Sequence, residues 1–132
     1  MVEDDLELVE LLKFNLAKAG LSVQAAADGD QGIKQARTQR PDLILLDLML
    51  PELDGLAVCE ILRRDRATRE IPIIILTAMS SQLARVAGLA AGANAYIIKP
   101  FKIKDLIDRI TSFLSPAGSP LQPTTTSPDQ QP

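Results

Sequence analysis

The most informative segment of this 132-residue chain is Asp42-Leu43-Ile44-Leu45-Leu46-Asp47-Leu48-Met49-Leu50-Pro51. Residues 43–46 form an apolar run without a polar face, which is typical of a strand covered on both sides by helices in a parallel sheet. Asp47 follows at the carboxyl end of this predicted strand, where open parallel sheets bind their ligands. A turn or helix-capping aspartate is the competing interpretation of Asp47 taken alone.

Polar side chains also follow three other apolar runs. They are Glu3, Asp4 and Asp5 after Met1-Val2, Thr77 after 71–76, and Lys99 after 96–98. Because the carboxyl ends of parallel strands meet at one edge of the sheet, we expect these groups to lie close together. Crowded acids need a cation, and oxygen ligands in a chain with no His and one Cys suit Mg²⁺ better than Zn²⁺.

The predicted magnesium site indicates phosphoryl chemistry, because Mg²⁺ held by one or two carboxylates keeps positions open for water and phosphate oxygens. Thr77 can donate a hydrogen bond to one phosphoryl oxygen, and Lys99 can supply positive charge to another. Asp47 remains as the nucleophile, and a carboxylate that attacks phosphorus forms an aspartyl phosphate. Each residue alone has an ordinary structural interpretation, but the joint arrangement favours the functional one.

Short motifs along the chain resemble, in order, those of the receiver domain of two-component response regulators, from Val2 to about Leu114. The matching pieces are Val2-Glu3-Asp4-Asp5, Asp47-Leu48-Met49-Leu50-Pro51 with Asp54-Gly55, Leu76-Thr77-Ala78, Gly92-Ala93, Tyr96, and Lys99-Pro100-Phe101.

The resemblance assigns roles to the residues of the acidic edge. It implies that Asp47 accepts a phosphoryl group from a sensor histidine kinase. Mg²⁺ would be bound by Asp4, Asp47 and the backbone carbonyl of Met49, with Glu3 acting through a metal-bound water. Lys99 would bridge to the phosphate. The chain would therefore not be an enzyme in the ordinary sense, although it would accept a phosphoryl group and dephosphorylate itself.

The resemblance also implies a switch pair formed by Thr77 and Tyr96. Thr77 would be drawn toward the phosphoryl group while the Tyr96 ring moves between outward and inward positions. These movements would change the surface of the fourth helix, fifth strand and fifth helix, which would contact an output domain, a partner protein or a second copy of the chain. Met49 and Met79 follow the acceptor and the switch threonine by two positions and orient water poorly, so slow self-dephosphorylation is expected.

Two features depart from the family pattern. Only Met1-Val2 precede the first acids, so the first strand is expected to be short, either because residues are missing from it or because the fold is weakened there. Asn94 and Ala95 stand where family members that pair through this surface carry acids, which leaves homodimerisation open. The sequence also leaves open the cognate kinase, the stimulus and any output domain beyond Pro132.

Alternating strand and helix patterns predict an α/β fold, a doubly wound, flavodoxin-like sandwich of five parallel strands with helices on both faces. The predicted helices span residues 6–19, 32–38, 54–66, 82–91 and 104–114, and the second strand spans 21–27. Asp54 is the predicted N-terminal cap of the third helix. Residues 1–115 form the predicted receiver domain. Residues 116–132 are built mostly from Pro, Ser, Thr and Gln, which predicts a flexible linker or tail.

Composition and charge argue against several classes of function. Hydrophobic residues make up 46% and the formal net charge is −3, as expected of one globular domain. The 14 Lys and Arg residues are scattered, so this domain is not expected to bind nucleic acid itself. No signal-peptide pattern opens the chain and no apolar run approaches the roughly 20 residues of a membrane span, so a cytoplasmic location is expected. The single cysteine, Cys59, is expected in the core.

Three other functions compete with a phospho-acceptor. A pseudo-receiver would keep the fold as an interaction module without phosphorylation, but the acid, threonine and lysine set is intact. A small phosphohydrolase with an aspartate nucleophile would need a second acid two residues later, where Met49 stands. A nucleotide-binding domain would need a glycine-rich turn between strand and helix, and the sequence has none.

Overall fold

The computed structural model describes residues 1–50 and 53–114. The helices are α1 (Leu6–Lys18), α2 (Gly29–Gln39), α3 (Gly55–Arg64), α4 (Gln82–Ala90) and α5 (Ile103–Leu114). The strands are β1 (Ile44–Leu46), β2 (Ile73–Thr77) and β3 (Ala95–Ile98). The linker or tail predicted for 116–132 lies outside the described residues, as does Pro51.

The three strands form a parallel sheet in the order β1-β2-β3. Val2 makes isolated parallel bridges to Leu46 on one side and to Ala26 on the other. The order across the sheet is therefore Ala26, Val2, β1, β2, β3, and the strand order reverses beside Val2. Open parallel sheets place their ligand crevice at such a reversal, outside the carboxyl ends of the strands.

Helices cover both faces of this sheet. Side chains alternate along each strand, so Leu45 and Ile74 pack with α1 and α5 in one apolar cluster. Ile44 and Ile75 pack with α2, α3 and α4 in a second cluster on the opposite face. The predicted α/β fold, with a parallel sheet between helices, is confirmed.

The predicted count of five strands is not confirmed. Within the described residues, the first predicted strand is reduced to the bridges of Val2, and the strand predicted for 21–27 is reduced to the bridge at Ala26. Within the described residues, the pairing here is a single bridge on each side of Val2, which is too short to form a strand.

Polar caps start four of the helices. They are Asp5 for α1, Asp28 for α2, Asp54 for α3 and Ser81 for α4, and each side chain accepts from a backbone amide of the first turn. The Asp54 cap agrees with the sequence prediction. Helix α2 starts three residues earlier than predicted, because Asp28 caps it directly after the bridge at Ala26. No helix in the described ranges has the length and apolar character needed to cross a bilayer.

Candidate functional site

Three acids meet at the carboxyl edge of the sheet. Glu3 and Asp4 follow Val2, Asp47 follows β1, and the bridge between Val2 and Leu46 places the two chain segments side by side. One carboxylate oxygen from each of Glu3, Asp4 and Asp47 lies within 4.8 Å of the others. Glu3 and Asp47 are only 3% and 6% exposed, whereas Asp4 is exposed. The convergence expected from the sequence is present for these three acids.

Lys99 provides positive charge to the two buried acids. Its Nζ donates to Glu3 Oε1 at 2.8 Å and to Asp47 Oδ2 at 3.1 Å. The backbone amide of Lys99 donates to the carbonyl of Thr77 at 2.8 Å, which fixes the end of β3 beside the end of β2. A single lysine faces three acids here, so the site retains net negative charge that a divalent cation would neutralise.

The pKa shifts follow from this imbalance. Burial raises the pKa of Glu3, and the charge of Asp47 adds to that shift despite the ion pair with Lys99. Burial also acts to raise the pKa of Asp47, but the amide of Met49 and the side chains of Thr77 and Lys99 outweigh it and hold that pKa below its ordinary value. Of Glu3 and Asp47, Asp47 therefore has the stronger tendency to stay ionised, and a carboxylate nucleophile must be ionised to attack.

The backbone around Asp47 fixes the orientation of its carboxylate. The Met49 amide donates to Asp47 Oδ1 at 3.0 Å, and Lys99 Nζ donates to the other carboxylate oxygen, Oδ2. Gly55 packs so closely that an added Cβ would lie 2.5 Å from the Asp47 carbonyl oxygen and from the Leu48 Cα. Any side chain at Gly55 would therefore displace the loop that carries Asp47, a constraint that the sequence alone did not reveal.

Thr77 ends β2 and is fully buried. Its Oγ1 accepts a long, 3.4 Å hydrogen bond from the Met79 amide. Tyr96, on β3, is 6% exposed and its hydroxyl donates to the Met79 carbonyl at 2.7 Å. The ring packs against α4, where an added Cβ on Gly88 would lie 3.1 Å from two ring carbons. The ring thus occupies an inward position, linked to Thr77 through the backbone of Met79.

Not every polar residue of the predicted edge belongs to the acid cluster. The Asp5 side chain caps α1 by accepting from the amides of Glu7 and Leu8. Its backbone amide donates to Glu3 Oε2 at 3.0 Å, so Asp5 supports the cluster without joining it. The Met49 and Met79 side chains are 57% and 40% exposed. They lie at the positions from which the sequence predicted poor orientation of water.

The sequence family is decided by a direct match. The family described as the response regulator receiver domain matches residues 1–111 of the chain. The chain belongs to this family. It is a response regulator receiver domain of two-component systems, as its ordered motifs predicted.

Relatives and solved structures agree with this membership. The chain is 41% identical over 114 residues to the DNA-binding dual master transcriptional regulator RpaA of Synechocystis, covering 86% of this chain and 47% of RpaA. It therefore spans about half the length of the curated relatives it matches.

Two solved receiver domains have closely similar folds. The BeF3-activated N-terminal receiver domain of Klebsiella pneumoniae RstA has a TM-score of 0.80 and 34% identity, covering 86% of this chain and 94% of that one. The receiver domain of sensor histidine kinase PA1611 from Pseudomonas aeruginosa has a TM-score of 0.79 and 37% identity, covering 86% and 93%. That structure has a magnesium ion coordinated in the active-site cleft.

Proposed function

We propose that this receiver domain is a Mg²⁺-dependent phospho-acceptor switch in which Asp47 receives the phosphoryl group. The observation that carries the proposal is the environment of Asp47, a buried carboxylate held by the Met49 amide and Lys99 beside two further acids. A pseudo-receiver has no need of a buried, ionised acid in that position, so the alternative of an unphosphorylated interaction module is not favoured.

The proposed reaction is transfer of a phosphoryl group from a histidine of a sensor kinase. An oxygen of Asp47 forms a bond to phosphorus as the phosphorus–nitrogen bond of the donor breaks, and the electron pair of that bond leaves on the histidine nitrogen. The lowered pKa of Asp47 keeps its carboxylate ionised for attack. Lys99 then exchanges its contact with Asp47 for one with the transferred group, and the buried Thr77 hydroxyl donates to another phosphoryl oxygen.

The acid cluster supports Mg²⁺ as the cofactor. Asp4 and Asp47 would hold the ion directly together with the backbone carbonyl of Met49, and Glu3 would act through a metal-bound water. Carboxylate and carbonyl oxygens are the donors that Mg²⁺ prefers, and the excess of acids over lysine leaves charge for it to neutralise. When bound, the ion would offset the negative charge of the phosphoryl oxygens during transfer.

Signalling would pass from the site through Met79. Phosphorylation draws the Thr77 hydroxyl away from the Met79 amide, and the Met79 carbonyl holds the inward Tyr96 ring beneath α4. A change at Thr77 therefore shifts the balance of Tyr96 positions and alters the surface formed by α4, β3 and α5. The partner at that surface would be an output domain, another protein or a second copy of the chain.

Two finer expectations belong to the same proposal. The chain would act in the cytoplasm, where sensor kinases take phosphoryl groups from ATP, and any nucleic-acid contact would be made outside this domain. The complete sheet would have five strands, with the positions of Val2 and Ala26 marking the two beyond β1.

The proposal is tested by intact mass after incubation with acetyl phosphate, with and without Mg²⁺. Wild type is expected to gain one phosphoryl group only when Mg²⁺ is present, and Asp47→Asn is expected to gain none. Asp54→Asn is the matched control, because Asn also caps helices and Asp54 lies outside the acid cluster. Equal labelling of wild type and Asp47→Asn would overturn the proposal.

A further inference from the structure

Four exposed arginines lie at the end of the sheet opposite the acid cluster. They are Arg40, which follows α2, Arg64, which ends α3, and Arg66 and Arg69 in the segment between α3 and β2. This segment leads into the amino end of β2, whereas the acid cluster lies at the carboxyl ends of the strands. We call these four residues the arginine group.

Asp65 brings the end of α2 and the segment before β2 together. Its Oδ2 accepts from the Arg37 guanidinium of α2, and its Oδ1 accepts from the Ala67 amide at 2.9 Å. Its backbone carbonyl accepts from the Arg69 amide at 2.8 Å. The Ala67 amide and then Arg37 hold the pKa of Asp65 below its ordinary value, and the charge of Arg40 adds to that shift. The members of the arginine group are therefore neighbours in the fold, although they are separated along the chain.

Internal contacts hold the segment before β2 in one arrangement. Thr68 is fully buried, and its hydroxyl donates to the Leu62 carbonyl at 2.7 Å. The Arg63 guanidinium donates to the carbonyls of Arg69 and Ile71 at 3.1 Å and 2.7 Å, so that arginine is used inside the fold. The backbone of Arg69 is thus fixed while its side chain is exposed. A fixed backbone lowers the entropy cost of binding a ligand.

The arginine group carries charge that the fold itself does not neutralise. Across the part of the chain that the structure describes, none of its four members forms an ion pair with an acid. A basic residue in the last turn of a helix interacts favourably with the carbonyl end of that helix, which accounts for Arg64. Arg40, Arg66 and Arg69 lie beyond the last turns, so this effect does not account for them.

Arg40 also occupies a backbone conformation that disfavours a side chain. Its φ is 46°, and within residues 1–50 and 53–114 it is the one residue other than glycine with a positive φ. Gly20 and Gly92 have positive φ after α1 and α4. Glycine adopts this conformation without crowding, whereas a residue with a Cβ does so at a cost. An arginine at such a position indicates a role for its side chain.

We propose that the arginine group is a docking surface for a short segment of a partner protein that is rich in Asp and Glu. A guanidinium can donate two parallel hydrogen bonds to one carboxylate, which suits arginine to this partner. The surface lies at the opposite edge of the sheet from Asp47. The proposal therefore goes beyond the proposed function and does not depend on phosphorylation.

The surroundings of the group favour an acidic peptide over a nucleic acid. Exposed acids stand close to its members in the sequence, at Asp42, Glu60 and Glu70. These acids repel a continuous phosphate backbone that extends past the group, whereas a short peptide can place its carboxylates between them. Residues 34–42 and 60–70 contain no Phe, Tyr or Trp, so they offer no aromatic surface on which unpaired bases could stack.

Titration of a fluorescently labelled hexaglutamate peptide with the full chain, followed by anisotropy at about 50 mM salt, tests the proposal. Wild type is expected to bind, and Arg66→Gln with Arg69→Gln should lower the affinity about tenfold, since each exposed ion pair contributes a few-fold. Lys102→Gln with Arg109→Gln is the matched control, because it removes two exposed positive charges elsewhere. The control should stay within about twofold of wild type.

Three results of this titration would overturn the proposal. They are no binding by wild type, an equal loss of affinity in the two double variants, and tighter binding of a short duplex DNA than of the peptide. An equal loss would mean that binding follows net charge alone. Tighter binding of DNA would mean that the group recognises a nucleic acid instead.

Arg40→Gly separates a binding role from a structural one. Glycine relieves the left-handed backbone, so Tm should rise by about 4 °C. The affinity for hexaglutamate should fall about threefold, because one guanidinium is lost. A lower Tm would show that Arg40 serves the fold, and an unchanged affinity would show that it does not contact the peptide. Either result would overturn the proposal.

Discussion

The hydroxyl of Tyr96 donates a 2.7 Å hydrogen bond to the backbone carbonyl of Met79. The amide of the same residue donates to Thr77 Oγ1 at 3.4 Å, a length at which hydrogen bonds are weak. The strong contact therefore holds the tyrosine, and the weak one involves the threonine. Under the proposed function, this arrangement would let Thr77 change partner at low cost and pass the change to the Tyr96 ring.

Removing the Tyr96 hydroxyl tests this connection. Tyr96→Phe keeps the ring but loses the bond to Met79, so we expect the free energy of unfolding to fall by about 1 kcal/mol. Hydrogen exchange should show faster amide exchange in residues 79–83. Urea denaturation should give the fall in the free energy of unfolding. Ser112→Ala also removes a hydroxyl bond, but one that lies on α5, and should leave exchange near Met79 unchanged. Equal exchange in the two variants would argue against the connection.

Gly88 is expected to set the inward position of the tyrosine. In Gly88→Ala the new methyl group lies 3.1 Å from two ring carbons of Tyr96 and 2.8 Å from Ile75 Cδ1, so the ring is pushed toward solvent. Crowding should outweigh the gain in helix propensity and lower stability by about 1 kcal/mol. The chain has one Tyr and no Trp, so acrylamide quenching of intrinsic fluorescence reports on Tyr96 alone. Quenching should rise in Gly88→Ala and not in Ala90→Ser, an exposed change on the same helix.

The effect of Mg²⁺ on stability should grow with pH. The pKa of Glu3 is raised in the fold, so the fold is favoured by protonation of Glu3 below its ordinary pKa and loses that stability as pH rises through the raised pKa. Lys99 and Asp47 are the charged groups that contact or face Glu3, and Asp4 completes the cluster. Once Glu3 is ionised, Mg²⁺ offsets the excess negative charge.

Thermal unfolding with and without Mg²⁺ at pH 5 and pH 8 measures this dependence. The rise in Tm caused by Mg²⁺ should be larger at pH 8. Glu3→Gln should make the Mg²⁺-induced rise in Tm more similar at pH 5 and pH 8. Asp4→Asn should reduce that rise at both pH values. A Mg²⁺ effect that is larger at pH 5 would contradict the charge balance described for the site.

Met49 should contribute to a long lifetime of the aspartyl phosphate. Its side chain is 57% exposed beside the acceptor and offers no strong hydrogen-bonding group to an attacking water. Met49→Gln supplies an amide there and should shorten the lifetime by about tenfold, within the range that positioned polar groups contribute. Met49→Leu, which stays apolar, should keep it. Loss of the phosphoryl group from wild type within seconds, measured after removal of the donor, would show that the prediction is wrong.

Local patterns in the sequence were enough to predict the helices and the acidic edge. Helix positions followed from apolar spacing and caps such as Asp54, and the convergence of Glu3, Asp4 and Asp47 followed from the geometry of parallel strands. The strand predicted for 21–27 is reduced to the bridge at Ala26, because pairing depends on the neighbouring segment and no pattern inside 21–27 could reveal how far that pairing extends.

The sequence could not predict contacts between elements that are distant along the chain. Asn94 stands where family members that pair through this surface carry an acid, and its Oδ1 accepts from Arg63 at 2.7 Å and from the Ile73 amide at 2.8 Å. It therefore ties α3 to the sheet within one chain. The close packing of Gly88 on Tyr96 likewise depends on how α4 sits against β3, which spacing alone does not specify.

The most direct test of the central claim is chemical location of the phosphoryl group. Borohydride reduces an aspartyl phosphate to homoserine, so the phosphorylated chain can be reduced, digested and sequenced by mass spectrometry. Homoserine is predicted at position 47 only, and only in samples phosphorylated in the presence of Mg²⁺. A reduced residue at Asp4 or Asp54 with none at position 47 would contradict the assignment of Asp47 as the acceptor.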